Sequence, residues 1–309
     1  MDPRADLTFK RIFGEHKELT KSFLNALLPF QEGEEIEDLE FLPAELAPDS
    51  PMKKNTIVDV RCKDNGGRQF IVEMQMFWTP TFLQRVLFNA SKAYVKQLDR
   101  SYDFRYLQPV YSLSLINDVF MPDLKEFYHH YDIVNIEHTN KVIEGLHFIF
   151  VELPKFKPQS IRERRMAVLW LRFLTEMNSE TDTVPEDFLQ NPYLKQAVQL
   201  LETSSYNETQ LYTYEKFWDA VASERAMVTD ALKEGKKKGI EEGKKQGIEE
   251  GKRQGIEEGK KQGIEEGKRQ GAKENAIAIA RNLRQLGLSV ADIAKATSLT
   301  IEEVEKLLE

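Results

Sequence analysis

The chain has 309 residues, is 41% hydrophobic and 10% aromatic, and carries a formal net charge of −8. That is enough apolar material for a real core in one large domain or two smaller ones. No run of about 18 apolar residues occurs, which excludes a membrane-spanning helix. The sole cysteine, Cys62, excludes an intramolecular disulfide and a multi-cysteine zinc site, and it fits a reducing cytoplasm.

Met1 to Asp6 does not read as a signal peptide. Residues 1–225 hold 26 Lys+Arg against 35 Asp+Glu, a balance of −9, while 226–271 balance at +2 and 272–309 at −1. A nucleic-acid partner would therefore have to meet a local basic groove and metal ions, not a bulk positive field. The five histidines show no usual metal-ligand spacing, and the pair His129-His130 reads as a surface feature.

Leu7 to Phe13 reads as a helix, with Asp6 as its N-cap and Gly14 as an interruption. Lys17 to Leu28 resumes the pattern through Leu19, Phe23, Leu24 and Leu27, and Pro29 ends it. A short strand is expected between Glu40 and Leu46. A β-hairpin follows at 56–76, around the turn Asp64-Asn-Gly-Gly67. Thr81 to Leu98 is an amphipathic helix with Phe82, Val86, Ala90 and Ala93 on one face. Val110 to Ile116 and Leu146 to Leu153 are strands. Arg162 to Thr175 is a helix, and the pattern stays helical to about 225, with Pro185 and Pro192 as first-turn prolines. This order predicts an α/β domain with a central mixed sheet flanked by helices.

The hairpin carries the chemistry. Alternation puts Ile71, Glu73 and Gln75 on one face and Phe70, Val72, Met74 and Met76 on the other, and Asp59 can face Glu73 and Gln75 across the hairpin. Two carboxylates meeting on a buried sheet repel and lose hydration unless something pairs them. A divalent cation does so, and hard oxygen donors suit Mg²⁺ or Mn²⁺ better than zinc. Such an ion can activate water against a phosphodiester. Gln75, in the third position, can orient a water but supplies no charge. The competing reading is a one-sided sheet that exposes Asp59 and Glu73 to solvent.

From 235 the composition changes. Glycine stands at every fourth position from Gly235 to Gly271, ten in all, in the unit Gly-Lys-Lys-Gln-Gly-Ile-Glu-Glu. Glu241, Lys245, Glu249, Arg253 and their successors form an i,i+4 ladder that favours helix by a few tenths of a kcal/mol per pair. Each interior glycine costs roughly 1 kcal/mol relative to alanine. The balance leans toward a partly helical, solvated spacer, with an ordered stalk as the alternative. Beyond it, Ala276 to Leu286 is an amphipathic helix stopped by Gly287. Ser289-Val-Ala-Asp292 and Thr300-Ile-Glu-Glu303 start two further short helices. The trio is helix-turn-helix-like. Its last member holds four glutamates and one lysine, which argues against major-groove reading and for protein contact or self-association. The domain reading is therefore 1–225 for the core, 226–271 for the repeat and 272–309 for the helical C-terminal segment.

Asp59 followed by Glu73-x-Gln75 on a hairpin resembles the PD-(D/E)XK nuclease core. Asp6-Leu-Thr-Phe-Lys10-Arg-Ile-Phe13 resembles the start of one branch, the Rpn family of recombination-promoting nucleases and putative transposases. The helix with Arg85 and Tyr94, the strand Pro109 to Leu115, and Phe148 to Pro154 resemble that branch too. The likeness covers roughly residues 1–220. It implies a restriction-endonuclease-like fold and an Mg²⁺-dependent DNA endonuclease tied to recombination or DNA mobility. It also implies Asp59 and Glu73 as metal ligands, Gln75 at the motif's lysine position, and Asp6 as an added carboxylate. Lys10, Arg85 or Lys92 would supply the missing positive charge, the last two as DNA or phosphate contacts. Val58 stands where the motif has proline. Bland roles compete: Asp6 as a helix cap, Lys10 as a solvated residue, Arg85 as an ion-pair partner. The alternative for the whole chain is a weakly active or inactive nuclease-like module that binds DNA or protein and oligomerises through its tail.

Overall fold

Period-two alternation in the hairpin strands builds the centre of the sheet, and the rest of the fold follows from covering its two faces. The computed structural model describes residues 1–46, 56–98, 103–158 and 165–308. The chain divides into two units, Met1–Met227 and Val228–Glu309. The first holds α1 (Asp6–Glu15), α2 (Lys17–Leu27), β1 (Leu39–Phe41), β2 (Glu45–Leu46), β3 (Thr56–Ile57), β4 (Val60–Asp64), β5 (Gln69–Gln75) and α3 (Phe82–Val95). It continues with β6 (Val110–Ile116), β7 (Tyr128–Val134), β8 (Val142–Glu152), α4 (Arg165–Glu176), α5 (Glu186–Gln190), α6 (Pro192–Leu200) and the start of α7 (Glu208–Gln285).

Among the described residues the main sheet has six strands in the order β1-β4-β5-β6-β8-β7, and β2 pairs with β3 in a separate ribbon. The central β5-β6-β8 ladder is parallel, and the flanking pairs are antiparallel. This mixed sheet between helices is the restriction-endonuclease-like arrangement expected. One face carries Phe70, Val72, Leu113, Leu115, Ile149 and Val151 into the main core with α1, α2, α4 and α6. There Trp170 meets Phe13, Phe23 and Phe173 edge-on. The other face carries Ile71 and Val110 against Ala90 and Ala93 of α3, and Ile116 and Phe150 against Phe82 and Val86.

Several local expectations are corrected. α1 begins at Asp6 after Ala5, with no side-chain cap, so Asp6 is the first helical residue, not the cap. Gly14 lies inside α1, and the break comes at His16, whose extended backbone separates α1 from α2. The first hairpin strand is interrupted at Val58–Asp59, which splits it into β3 and β4. Pro185 sits one residue ahead of α5, whereas Pro192 does open α6 behind the Asn191 cap. β7 was not anticipated. It is an edge strand whose His129 is buried against Glu152 at 2.9 Å, so the His129-His130 pair is not simply a surface feature. The start of the expected Arg162 helix lies outside the described residues. In the turn, Asp64 accepts from the Arg68 amide and guanidinium, and Gly67 takes a φ of +86° that favours glycine.

The octad repeat is continuous helix within α7. The glycines from Gly235 to Gly271 would meet nothing within 4 Å if given a Cβ, and Ile240, Ile248, Ile256 and Ile264 are exposed. An eight-residue period advances about 80° per repeat on a 3.6-residue helix, so these isoleucines spiral instead of forming a seam. In the second unit the end of α7, α8 (Val290–Thr297) and α9 (Ile301–Leu308) bury Ala280, Ile293, Ala294 and Val304 together. The box at Thr300 closes, with Glu303 Oε2 accepting from the Thr300 amide at 3.0 Å and Thr300 Oγ1 accepting from the Glu303 amide at 3.2 Å, while at Ser289 the forward cap forms, its Oγ accepting from the Asp292 amide at 3.3 Å. Gly287 and Ser298 take the left-handed turns at φ +83° and +58°. The first of the three helices is thus the end of a 78-residue helix, not a short element.

Candidate active site

β5 presents Glu73 and Gln75 toward α3, and the bend between β3 and β4 swings Asp59 to the same edge. Asp59 Oδ2 accepts the Met74 amide at 2.7 Å. This bond locks the bend to β5 and leaves Oδ1 facing Lys10 Nζ at 3.9 Å. That separation is an ion pair, too long for a hydrogen bond. Lys10 is held more tightly by Asp6, one helical turn earlier, at 2.6 Å.

Glu73 is almost fully buried. Its Oε1 accepts from Asn89 Nδ2 at 2.9 Å, and its Oε2 lies 3.9 Å from Arg85. Arg85 donates to Gln75 Oε1 and stacks over the Phe82 ring at 5.2 Å. Asn89 belongs to the same apolar face of α3 as Val86, Ala90 and Ala93. Its carbonyl oxygen, Oδ1, is buried without a hydrogen-bond partner among the described residues. On β6, Ser114 stands in register beside Glu73 with its own hydroxyl unpartnered.

The electrostatics follow from this packing. Burial pushes Asp59 up to about 6, with the Met74 amide and Lys10 opposing the rise and Asp6 and Glu73 adding to it. Burial also raises Glu73, against the Asn89 hydrogen bond and the Arg85 charge. Both carboxylates are thus harder to ionise than exposed ones, a cost that a nearby positive charge relieves.

Asp6, Lys10 and Asp59 thus form one chain of contacts and Glu73, Gln75 and Arg85 another, joined through the Met74 amide that Asp59 accepts next to Glu73 on β5. Lys92 is part of neither chain: its ammonium donates to the Leu46 carbonyl and stands 5.7 Å over the Phe88 ring. Asn89 was missed at the sequence level. The signal was there, an asparagine at a core position of an amphipathic helix. Cys62 is buried, and burial pushes its thiol up to about 12, so it is chemically inert.

No helix among the described residues is long and apolar enough to cross a membrane. Searches of curated proteins and of solved structures gave no match. A family model described as PD-(D/E)XK nuclease family transposase matches residues 3–231. That span is well over half of the chain and includes every residue of the site above, so the chain belongs to the PD-(D/E)XK nuclease family transposases.

Proposed function

We propose that this protein is a divalent-metal-dependent DNA endonuclease that hydrolyses phosphodiester bonds and acts in recombination or DNA mobility. Its family supports nuclease-type chemistry. The observation that carries the reading is that Asp59, bonded to the Met74 amide next to Glu73, and the buried Glu73 both have raised pKa values, and each has an oxygen 3.9 Å from a basic side chain. The residues fit a hard divalent ion. The donors are carboxylate oxygens, and the unpartnered Asn89 oxygen adds a further hard acceptor beside them.

Asp59 and Glu73 hold Mg²⁺, or Mn²⁺ in its place. Asp6 completes the carboxylate set at longer range, with Lys10 between it and Asp59. A bound divalent ion supplies Lewis-acid polarisation of the phosphate and acidifies the attacking water. Asn89 fixes the Glu73 rotamer. Gln75 orients the nucleophile by hydrogen bonding alone. Arg85, tied to Gln75, supplies the positive charge absent at position 75, with Lys10 on the opposite flank. Arg85 and Lys92 contact the DNA backbone. Purified protein should nick plasmid DNA with Mg²⁺ or Mn²⁺ and stop with chelator. Absence of nicking at any divalent ion tested would overturn the reading.

The Arg85 assignment makes its own prediction. Arg85→Ala should lower cleavage by about 10²-fold, the scale for losing one preorganised charge at a reacting phosphate. Gln75→Lys in that background should restore part of the loss, measured as initial nicking rate. No rescue would remove Arg85 from the role.

A pH prediction follows from Asp59. Its folded value, about 6, lies above the ordinary 3.8, so the folded state binds the proton more tightly than the unfolded one. Stability from this group is fully present below pH 3.8 and is lost as pH rises through about 6. In chelator, Asp59→Asn should therefore melt above wild type at pH 7.5, with the gap closing below pH 5. In a His147→Gln background, Mn²⁺ should raise the melting temperature of the protein with Asp59 at pH 7.5 and leave its Asp59→Asn counterpart unmoved. Equal melting curves in chelator would contradict this.

One observation favours the second reading, a weakly active or inactive binding module: the third motif position holds a neutral amide, Gln75, which accepts from Arg85. That reading predicts no metal-dependent cleavage, with DNA or protein binding retained. In either case we infer self-association through residues 272–309. Deleting them should reduce the mass seen by light scattering, and an unchanged mass would count against it.

A further inference from the structure

The edge strand β7 and its neighbour β8 together carry three side chains that the nuclease reading does not use. Asp132 stands in register with His147 on β8, and His130 lies two residues before Asp132 on the same face. His147 is in register with Tyr111, which packs on the main core. The trio is therefore on the opposite face of the sheet from Glu73.

His147 Nδ1 approaches Asp132 Oδ1 at 2.6 Å, and His130 Nε2 approaches the same oxygen at 3.1 Å. The three ligand atoms all lie within 4.8 Å of one another, and among the described residues no other group of three His, Cys, Asp or Glu side chains does so. We propose that His130, Asp132 and His147 form a binding site for a late first-row divalent cation of the zinc class, separate from the Asp59–Glu73 edge.

Four points support this. With zinc–ligand bonds of about 2.0–2.1 Å, tetrahedral ligand atoms stand about 3.3–3.4 Å apart. The observed His–Asp separations of 2.6 and 3.1 Å lie within about 1 Å of that spacing. The donor chemistry is also selective: two imidazole nitrogens and one carboxylate suit zinc and its neighbours, not magnesium. The His147 ring is already oriented, stacked on Tyr111 at 4.4 Å with a 13° tilt. Finally, the β7–β8 register shifts between Asp132 and Ile133. Such bulges re-aim side chains at sheet edges. Three protein ligands leave a coordination position for water or a fourth donor. A bound ion would cross-link β7 to β8 at the edge of the sheet.

The test is calorimetric titration of untagged, chelator-stripped full-length protein with Zn²⁺ in excess Mg²⁺. Binding of about one equivalent is expected for a single site. His130→Gln, Asp132→Asn and His147→Gln should each weaken it at least tenfold, roughly the lower end of losses from ligand-supporting residues. Asp59→Asn should leave it unchanged. His130 is solvent-exposed, so His130→Gln separates loss of a ligand from loss of the fold, with circular dichroism as the check. Three results would overturn the proposal: no zinc binding, binding indifferent to the His130, Asp132 and His147 substitutions, or binding lost in Asp59→Asn. A metal-free His–Asp–His hydrogen-bond cluster would give the first result.

Discussion

Asp59→Asn is expected to lower metal-dependent DNA cleavage by about 10³-fold or more. A metal ion at a phosphoryl centre contributes several kcal/mol of transition-state stabilisation, and each 1.36 kcal/mol is about tenfold in rate. Replacing one of two buried carboxylate ligands removes most of that. The substitution keeps an oxygen for the Met74 amide, which Asp59 now accepts at 2.7 Å, so the bend between β3 and β4 survives. Glu73→Gln should do the same while keeping its acceptor for Asn89. Both variants should still bind DNA, because Arg85, Lys10 and Lys92 are untouched. The readout is nicking rate at saturating Mn²⁺ alongside filter-binding affinity. A variant that cuts within tenfold of wild type would remove its residue from the metal site.

The second large effect is on stability. Glu152 is fully buried and accepts the amides of Phe120 at 2.7 Å and Met121 at 3.2 Å. It also pairs with His129 at 2.9 Å and Lys155 at 2.5 Å. Burial alone would raise its pKa, but the hydrogen bonds from Lys155, His129, Met121 and Phe120 together hold it below the usual glutamate value. Glu152→Ala would leave two amides without their acceptor and the half-buried Lys155 ammonium with the Met121 carbonyl but no counter-charge. Removing one partner of a buried pair costs about 3–5 kcal/mol. For a unit of this size that lowers the melting temperature on the order of 10 °C. Glu152→Gln should cost less, since it keeps one acceptor. The sign with pH is fixed by the lowered value: the contribution is present above about 4.5 and is lost as pH falls. A melting temperature unchanged in Glu152→Ala would refute this account of the β7–β8 edge.

The particular residues show what a sequence can and cannot reveal here. The strand β5 and its two faces follow from strict alternation, and α3 from the 3.6-residue spacing of Phe82, Val86, Ala90 and Ala93. The turn at Asn65-Gly66 is local chemistry. These signals are short-range, and they suffice to put Glu73 and Gln75 on one face of β5. The break at Val58–Asp59 is not short-range: it depends on the Met74 amide, fifteen residues away. β7 was hidden for a different reason. Tyr128-His-His-Tyr-Asp132 has no clear apolar face, because an edge strand needs only half a side buried and fills it with groups that bond Glu152 and His147. Asn89 was hidden by its neighbours, since a helix rich in core residues draws attention to its apolar members. The continuous helix of the octad repeat runs against the local balance, in which ten glycines at roughly 1 kcal/mol each outweigh a ladder worth a few tenths per pair.

The central claim is that Asp59 and Glu73 together hold a divalent ion used in cleavage. Mn²⁺ binding by electron paramagnetic resonance tests it most directly, comparing wild type with Glu73→Gln in a His147→Gln background that disables the other proposed metal site. The account predicts bound Mn²⁺ in the parent, at least tenfold weaker binding in the Glu73→Gln variant, and loss of plasmid nicking in step with the loss of ion. Mn²⁺ binding of equal strength in both proteins would contradict it.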